Sequence, residues 1–372
     1  LDAKADYYYM VTPKSNINIT IGDTYSYQNF NSGIFQILDN GTSTDLGEAA
    51  KNKVNYTFND AFVGMHYKFI TGKFTFNPGV SFHSYTSFNE QLGTKVDNNF
   101  YRLLPDIYAL YQMKKAERLV YNYSMTTNFT DVANFAQGLI LNNYNSLFRG
   151  NRNLENALYQ THSLSYSRYD MFNFTQIFGS VNYSYREDAV KNIAGFTGIN
   201  QVSTVVNSNF ADKVLSGNAG YTRSFLRYYK FSGNVALSWS KFNNFRFDTA
   251  NAGQVPSLDN SVRQVNEQFT QNYKGSFSTS YANIPNLEVG YSLNVNDYAG
   301  SKFYTHQPYA RFDYYFWEAL TVTAEYEYNH YYNSAKTSDN EYDFLSASIM
   351  YRKKDSKWEF KMGGTNLLNT TS

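Results

Sequence analysis

Cysteine is absent from this 372-residue chain, which removes disulfides, zinc–thiolate sites and cysteine nucleophiles together. Charge is scarce too: 17% of residues are charged, the net charge is +1, and no sustained basic block occurs, so no nucleic-acid partner is expected. No apolar run exceeds the five residues of Tyr7 to Val11, so no helix crosses a bilayer. The opening Leu1-Asp2-Ala3-Lys4-Ala5-Asp6 lacks the basic and apolar regions of a secretory signal. An exported chain would then have its true start upstream of Leu1.

Aromatic residues, by contrast, make up 19% of the chain, led by 36 Tyr and 30 Phe. Tyrosine suits an interface where one end of the ring is dry and the other wet. A mean hydropathy of −0.53 is polar for a helical membrane protein. It does not count against a barrel, whose lumen and loops are polar. Leu287, Val289, Tyr291, Leu293 and Val295 alternate with Glu288, Gly290, Ser292 and Asn294, and side chains two apart share one face of a strand. The same alternation runs through Ile17 to Gln28, Phe74 to Phe82, Leu119 to Phe129, Asn234 to Ser240 and Lys357 to Met362.

About 16 strands follow from it: 2–12, 16–30, 53–70, 73–88, 100–113, 117–131, 159–169, 174–187, 203–226, 230–247, 263–283, 287–299, 302–316, 320–334, 341–353 and 356–369. Short links, such as Thr71-Gly72 and Lys354-Asp355, alternate with mostly longer ones at 31–52, 89–99, 132–158, 188–202, 248–262 and 335–340. A brief link near Gly300-Ser301 is the exception. This alternation predicts an all-β transmembrane antiparallel barrel over 1–372 in an outer membrane, with short turns periplasmic and long loops outside. Most segments exceed the roughly 9–11 residues a tilted strand needs to span, so the wall should project beyond the bilayer. Tyr7-Tyr8-Tyr9, Tyr228-Tyr229, Tyr314 to Trp317 and Tyr331-Tyr332 fall where the two aromatic girdles belong. The alternative for such rings is core packing in a soluble β-sandwich. Counting strand directions puts both Leu1 and Ser372 on the outer side, which is expected of an incomplete barrel lacking closing strands.

Asn142-Asn143-Tyr144-Asn145, then Gly150-Asn151-Arg152-Asn153-Leu154 and His162-Ser163-Leu164-Ser165-Tyr166-Ser167, together with Asn366-Leu367-Leu368-Asn369, resemble elements of TonB-dependent receptors. The resemblance implies a 22-stranded barrel with a plugged lumen. It also implies uptake of a scarce nutrient, powered by an inner-membrane energy-coupling complex acting through an N-terminal segment upstream of Leu1. Some relatives of this barrel type are structural instead, so a scaffold for surface lipoproteins or an assembly machine is the alternative, with a passive porin third.

The five histidines are the natural catalytic or metal candidates. A two-residue turn at Thr71-Gly72 pairs Phe69 with Phe74, which sets His66 and His83 on the lumen face roughly 20 Å apart at strand rise. A shared metal is then excluded. His162 stands alone. His306 should face His330 on the outer wall near the outer interface, and two ligands fall short of the three or four a zinc site needs. No Gly-x-Ser-x-Gly element occurs and no histidine has an obvious Ser or Asp partner, so neither enzyme activity nor a cofactor is expected. Two groups are the candidate contacts to an unknown small ligand. One is Arg149, Asn151, Arg152 and Asn153 in the loop 132–158. The other is Arg311, Asp313, Tyr315, Glu325 and Glu327, which take inward phase on adjacent strands. For the latter the competing reading is a polar wall hydrogen-bonded to a plug.

Overall fold

The computed structural model describes residues 1–197, 199–247, 256–282, 284–317, 319–353 and 357–370. Its strands are β1 (Asp2–Thr12), β2 (Ser15–Gly33), β3 (Phe35–Ile37), β4 (Ser43–Asp45), β5 (Lys51–Thr71), β6 (Phe74–Gln91), β7 (Thr94–Lys114), β8 (Glu117–Asn128), β9 (Leu139–Asn143), β10 (Ser146–Arg149) and β11 (Ala157–Asp170). They continue with β12 (Thr175–Glu187), β13 (Val190–Thr197), β14 (Asn200–Asn207), β15 (Asp212–Phe225), β16 (Tyr229–Phe247), β17 (Ser261–Thr279), β18 (Asn286–Tyr298), β19 (Ser301–Phe316), β20 (Leu320–Asn333), β21 (Asp339–Tyr351) and β22 (Phe360–Gly364). Short 3-10 turns stand at Glu48–Ala50 and Val132–Phe135.

One 20-stranded sheet holds all of these strands but β3 and β4, which pair with each other. Its wall runs β1-β2-β5-β6-β7-β8-β11-β12 and then β15 through β22, each strand antiparallel to the next. No pairing joins β1 to β22 among the described residues.

Alternation decides what each face is made of. Val63, Met65, Phe82, Tyr101, Leu103, Val181, Leu215, Leu287, Val289 and Ile349 stand exposed on the outside, which makes sense only against lipid. Their neighbours one residue along face in and are mostly Ser, Asn, Gly, His and charged groups, with Phe62, Phe100 and Leu104 among them. At the short-turn end the rings form a band: Phe74 stacks on Tyr111 at 4.4 Å, Tyr228 on Tyr281 at 4.8 Å, and Tyr314 meets Phe316 at 3.9 Å. Phe303, Tyr304, Tyr331 and Tyr332 pair at the other end. This is the wall of an outer-membrane β-barrel.

Five sequence expectations are corrected by the structure. The β5–β6 turn is Gly72-Lys73, pairing Thr71 with Phe74 and Phe69 with Phe76. The register therefore moves by two, bringing His66 opposite Gly79 and His83 opposite Phe62. The link at 89–99 is the two-residue turn Leu92-Gly93, both at positive φ (51° and 70°), as a tight hairpin requires. The strand expected at 203–226 breaks after Asn207, because Ser208 turns to bond Ala189, and the link at 188–202 is largely the hairpin β13–β14. The last strand is confined to Phe360–Gly364. Asn366 and Asn369 beyond it take positive φ, a conformation asparagine tolerates in turns. The link at Lys354-Asp355, the first residues of 248–262 and the terminal Ser372 lie outside the described residues.

Candidate functional site on the inward wall

The loop after β8 is not free cover. Asp131 caps the turn Val132–Phe135 by accepting from the Ala133 amide at 2.8 Å. The segment then crosses the inward face to β5, where Asn52 accepts from the Gly138 amide at 2.7 Å. Gln91 of β6 accepts from the Gln137 amide and donates to the Phe135 carbonyl, both at 2.9 Å. Val132, Phe135, Ala136, Phe148 and Leu154 are buried with Val54, Tyr56, Phe58 and Tyr85, the inward side chains of β5 and β6. Phe135 stacks on Tyr56 at 4.9 Å. Burial of side chains this size is worth about 1.5–3 kcal/mol each. The segment forms a packed cover over this part of the lumen.

The element Gly150 to Leu154 is the clasp of that cover. A Cβ on Gly150 would meet the Asn134 carbonyl at 2.5 Å and Ala136 at 2.7 Å, so only glycine lets the two strands of the loop close. Asn151 donates to the Val205 carbonyl at 3.1 Å. Arg152 is 7% exposed and donates to Thr94 Oγ1 (2.6 Å), the Thr94 carbonyl (3.0 Å) and the Asn89 carbonyl (2.7 Å). Burial pushes its guanidinium below its usual pKa. Arg149 bonds the Gln137 carbonyl, and the Asn153 amide bonds Asn151. Asn151 and Arg152 are thus engaged in holding the loop, while Arg149 and Asn153 stay exposed. Beside the cover a cleft of about 820 Å³ opens between Asn31–Gly33, Lys51–Lys53 and Glu90–Gly93.

Under the cover lies a chain of aromatic and titratable groups. Phe62 stacks on His83 at 5.0 Å, His83 on Tyr85 at 5.5 Å, and Tyr85 on Phe100 at 4.8 Å. Asp60 accepts from His83 Nδ1 at 2.8 Å, and His83 Nε2 stands 3.0 Å from Ser81 Oγ. Lower on the wall, His66 Nε2 reaches Asp106 at 2.9 Å across the intervening strand. It can do so because Gly79 between them carries no side chain; a Cβ there would collide with the His66 ring. The shift of register leaves His66 and His83 four residues apart along β5, roughly 13 Å, still too far for one ion.

On β19 the inward wall is open at Arg311, Asp313 and Tyr315, while Asn329 on β20 is buried. Arg311 donates to Glu325 at 2.8 Å, with the two side chains 51% and 42% exposed. Tyr309 donates to Glu288 at 2.9 Å, Asn329 to Glu327 at 2.8 Å, and Asn286 to Asp313 at 3.4 Å. Tyr315 is exposed. The structure does bring this group together on one face.

His306 and His330 stand directly opposite each other as the register required, with ring centroids 6.1 Å apart. They share their outward phase with exposed Tyr291 and Tyr326. Sequence reading missed their partners. His330 Nε2 bonds Asp339 at 2.8 Å and lies 3.5 Å from Glu341, so three donor groups, not two, lie within 4.8 Å of one another. His306 contacts the Tyr291 and Tyr332 hydroxyls. His162 is not alone either: Tyr121 bonds its Nδ1 at 2.9 Å.

No family model matches this sequence, and no curated protein does. Solved structures do. The ferric-catecholate import receptor Fiu from E. coli, in its closed form, is 11% identical with a TM-score of 0.42, covering 99% of this chain and 60% of that one. OmpT, an outer membrane protein of Vibrio cholerae, is 8% identical with a TM-score of 0.33 over 95% of this chain and 89% of its own. The ferric enterobactin receptor PfeA from Pseudomonas aeruginosa is 10% identical, TM-score 0.30, over 99% and 74%. This chain spans 60% of the Fiu structure's length, and at such identities the likeness is one of fold.

The expectation that the chain is not an enzyme is withdrawn. It rested on histidines without Ser or Asp partners, and His83 has both.

Proposed function

We propose that the chain forms the wall of a TonB-dependent-receptor-like protein that takes up a scarce nutrient across the outer membrane. The observation that carries this reading is the cover of residues 132–154, packed against β5 and β6 and clasped by Arg152. A cover packed onto one arc of the lumen is a part that a gated uptake protein can use, and the element Gly150 to Leu154 that resembles the receptor family is the element that clasps it. Ligand would meet the open arc of Arg311, Asp313, Tyr315, Glu325 and Glu327, entering past the cleft beside Glu90–Gly93. Moving against a gradient would draw energy from an inner-membrane coupling complex. A second reading, a scaffold for surface lipoproteins, is favoured by Phe196 and Ile199, which stand 63% and 76% exposed on and beside β13.

Growth tests this directly. A strain lacking the chain should fail on one scarce nutrient among iron chelates, cobalamin, glycans and peptides, and a protonophore should block the restored uptake. Undiminished growth on every nutrient, with lipoproteins co-purifying in fixed ratio, would select the scaffold.

A further inference from the structure

We propose that Ser81, His83 and Asp60 form a hydrolytic site on the inward wall that cleaves carboxylic esters reaching the lumen. Ser81 and His83 are two apart on β6 and so share one face, and Asp60 lies diagonally across on β5, within reach of a long side chain. The order of contacts is that of an activated nucleophile. Asp60 accepts from Nδ1 at 2.8 Å, which fixes the tautomer and turns the Nε2 lone pair to Ser81 Oγ, 3.0 Å away. The ring is held between Phe62 and Tyr85. The carboxylate and imidazole are 15% and 14% exposed, reachable from the lumen yet largely desolvated. Among the hydrogen bonds of the described residues, His83 alone of the five histidines joins a carboxylate on one nitrogen to a serine hydroxyl on the other. His66 and His330 have carboxylates without a hydroxyl, and His162 and His306 have tyrosine hydroxyls without a carboxylate.

Two neighbours suit the site to acyl transfer. Arg102 lies directly opposite His83 on β7, and its buried Nε–H has no partner, which makes it the candidate donor to a developing oxyanion. Phe62, opposite His83, presents apolar surface to an acyl chain. In the reaction Ser81 Oγ bonds the acyl carbon while His83 Nε2 takes the hydroxyl proton. The ester C–O bond then breaks, and His83 gives that proton to the departing alkoxide. Water attacks the acyl-serine, losing a proton to His83; the acid leaves, and Ser81 recovers its hydrogen. An ester is the class because His83 is the sole proton donor in this set and an alkoxide needs less help to leave than an amine.

A fluorophosphonate probe and p-nitrophenyl butyrate test this on the full chain extracted from outer membranes in detergent. Peptide mapping should find the probe on Ser81 and not on outward-facing Ser84, and heat-unfolded chain should take none. Ser81→Ala and His83→Gln should lower ester turnover by about a hundredfold or more. Asp60 acts through His83 as a positioning residue, so Asp60→Asn should reduce labelling and Asp60→Glu should recover part of it, with folded gel mobility unchanged in each. Equal labelling of Ser81 in wild type and His83→Gln would overturn the proposal. So would no labelling of folded wild type above the heat-unfolded control. Neither readout involves uptake, so this site and the uptake reading stand or fall separately.

Discussion

Two arcs of the same inward wall solve the problem of polar groups in opposite ways. On β5 and β6, beneath the cover, Asp60 and His83 are 15% and 14% exposed, sandwiched among rings. On β19 and β20, Arg311 and Glu325 are 51% and 42% exposed and pair in the open lumen. Strand alternation is the same in both arcs. What differs is a loop that folds back over one of them. In the covered arc polar groups are desolvated, so the contacts that Asp60 and His83 make there are fixed and costly to break, and the Arg102 Nε–H is left without a partner. In the open arc water competes and long side chains can change partners, which suits ligand exchange.

The largest break in this contrast should come from removing the ring that seats the cover. Phe135→Ala should destabilise the covered arc by about 3–5 kcal/mol. Proteolysis should then find residues 132–154, which wild type protects, and planar-bilayer recordings should show current where wild type shows little. A cover that stays protected in this variant would mean that packing against Tyr56 and Val54 does not seat it.

Next in size is the clasp. Arg152→Met keeps the volume but abandons the Thr94 and Asn89 carbonyls, and lost bonds to a charged donor cost about 1.5–3 kcal/mol. Arg152→Lys should recover little of this, because a single ammonium cannot reproduce a planar fork spread over three acceptors. Urea midpoints of the two variants decide it; equal stability of wild type and Arg152→Met would show the cover to be held by Phe135 and its neighbours alone.

The covered arc is also where the sequence was hardest to read. Face assignments were legible throughout, because a period of two leaves little choice once a strand exists; His306 opposite His330 and Phe316 opposite Leu320 came out as the turn required. The β5–β6 register did not, since Thr71-Gly72 and Gly72-Lys73 are both plausible two-residue turns and the choice moves every cross-strand pair by two. The cover was illegible for a different reason. Its anchors join Asn52 to Gly138 and Gln91 to Gln137, contacts between polar residues far apart in sequence that leave no periodic trace. Asn151 and Arg152 therefore read as free recognition residues when they are the clasp. The Ser81–His83–Asp60 contacts were within reach, since the turn at Thr71-Gly72 already set His83 opposite Asp60 and the phase put Ser81 inward; motif spacing looks along a chain, and this set runs across a hairpin.

In the open arc the effects should shrink. A double-mutant cycle on Arg311→Ala and Glu325→Ala should give a coupling of no more than about 1 kcal/mol, weakened further by salt. A larger, salt-insensitive coupling would mean that this arc is covered as well.

The smallest effect lies outside the membrane, in the loop between β2 and β5, where Lys51 pairs with Asp45. The Lys51 ammonium, with the Gly47 amide, holds the Asp45 carboxyl below its ordinary 3.8. A carboxyl so lowered stabilises the folded loop fully above the ordinary value, and that contribution fades as pH falls through the lowered one. Because the chain has no cysteine, a spin label on Thr42→Cys reports the loop without background. Its spectrum should be unchanged from pH 7 to pH 5 and should sharpen with motion on further acidification. Lys51→Ala should move that sharpening toward higher pH, back to the ordinary carboxylate range. A label already mobile at pH 7, or a transition indifferent to Lys51, would leave this loop as passive as the open wall and confine ordering by charge to the covered arc.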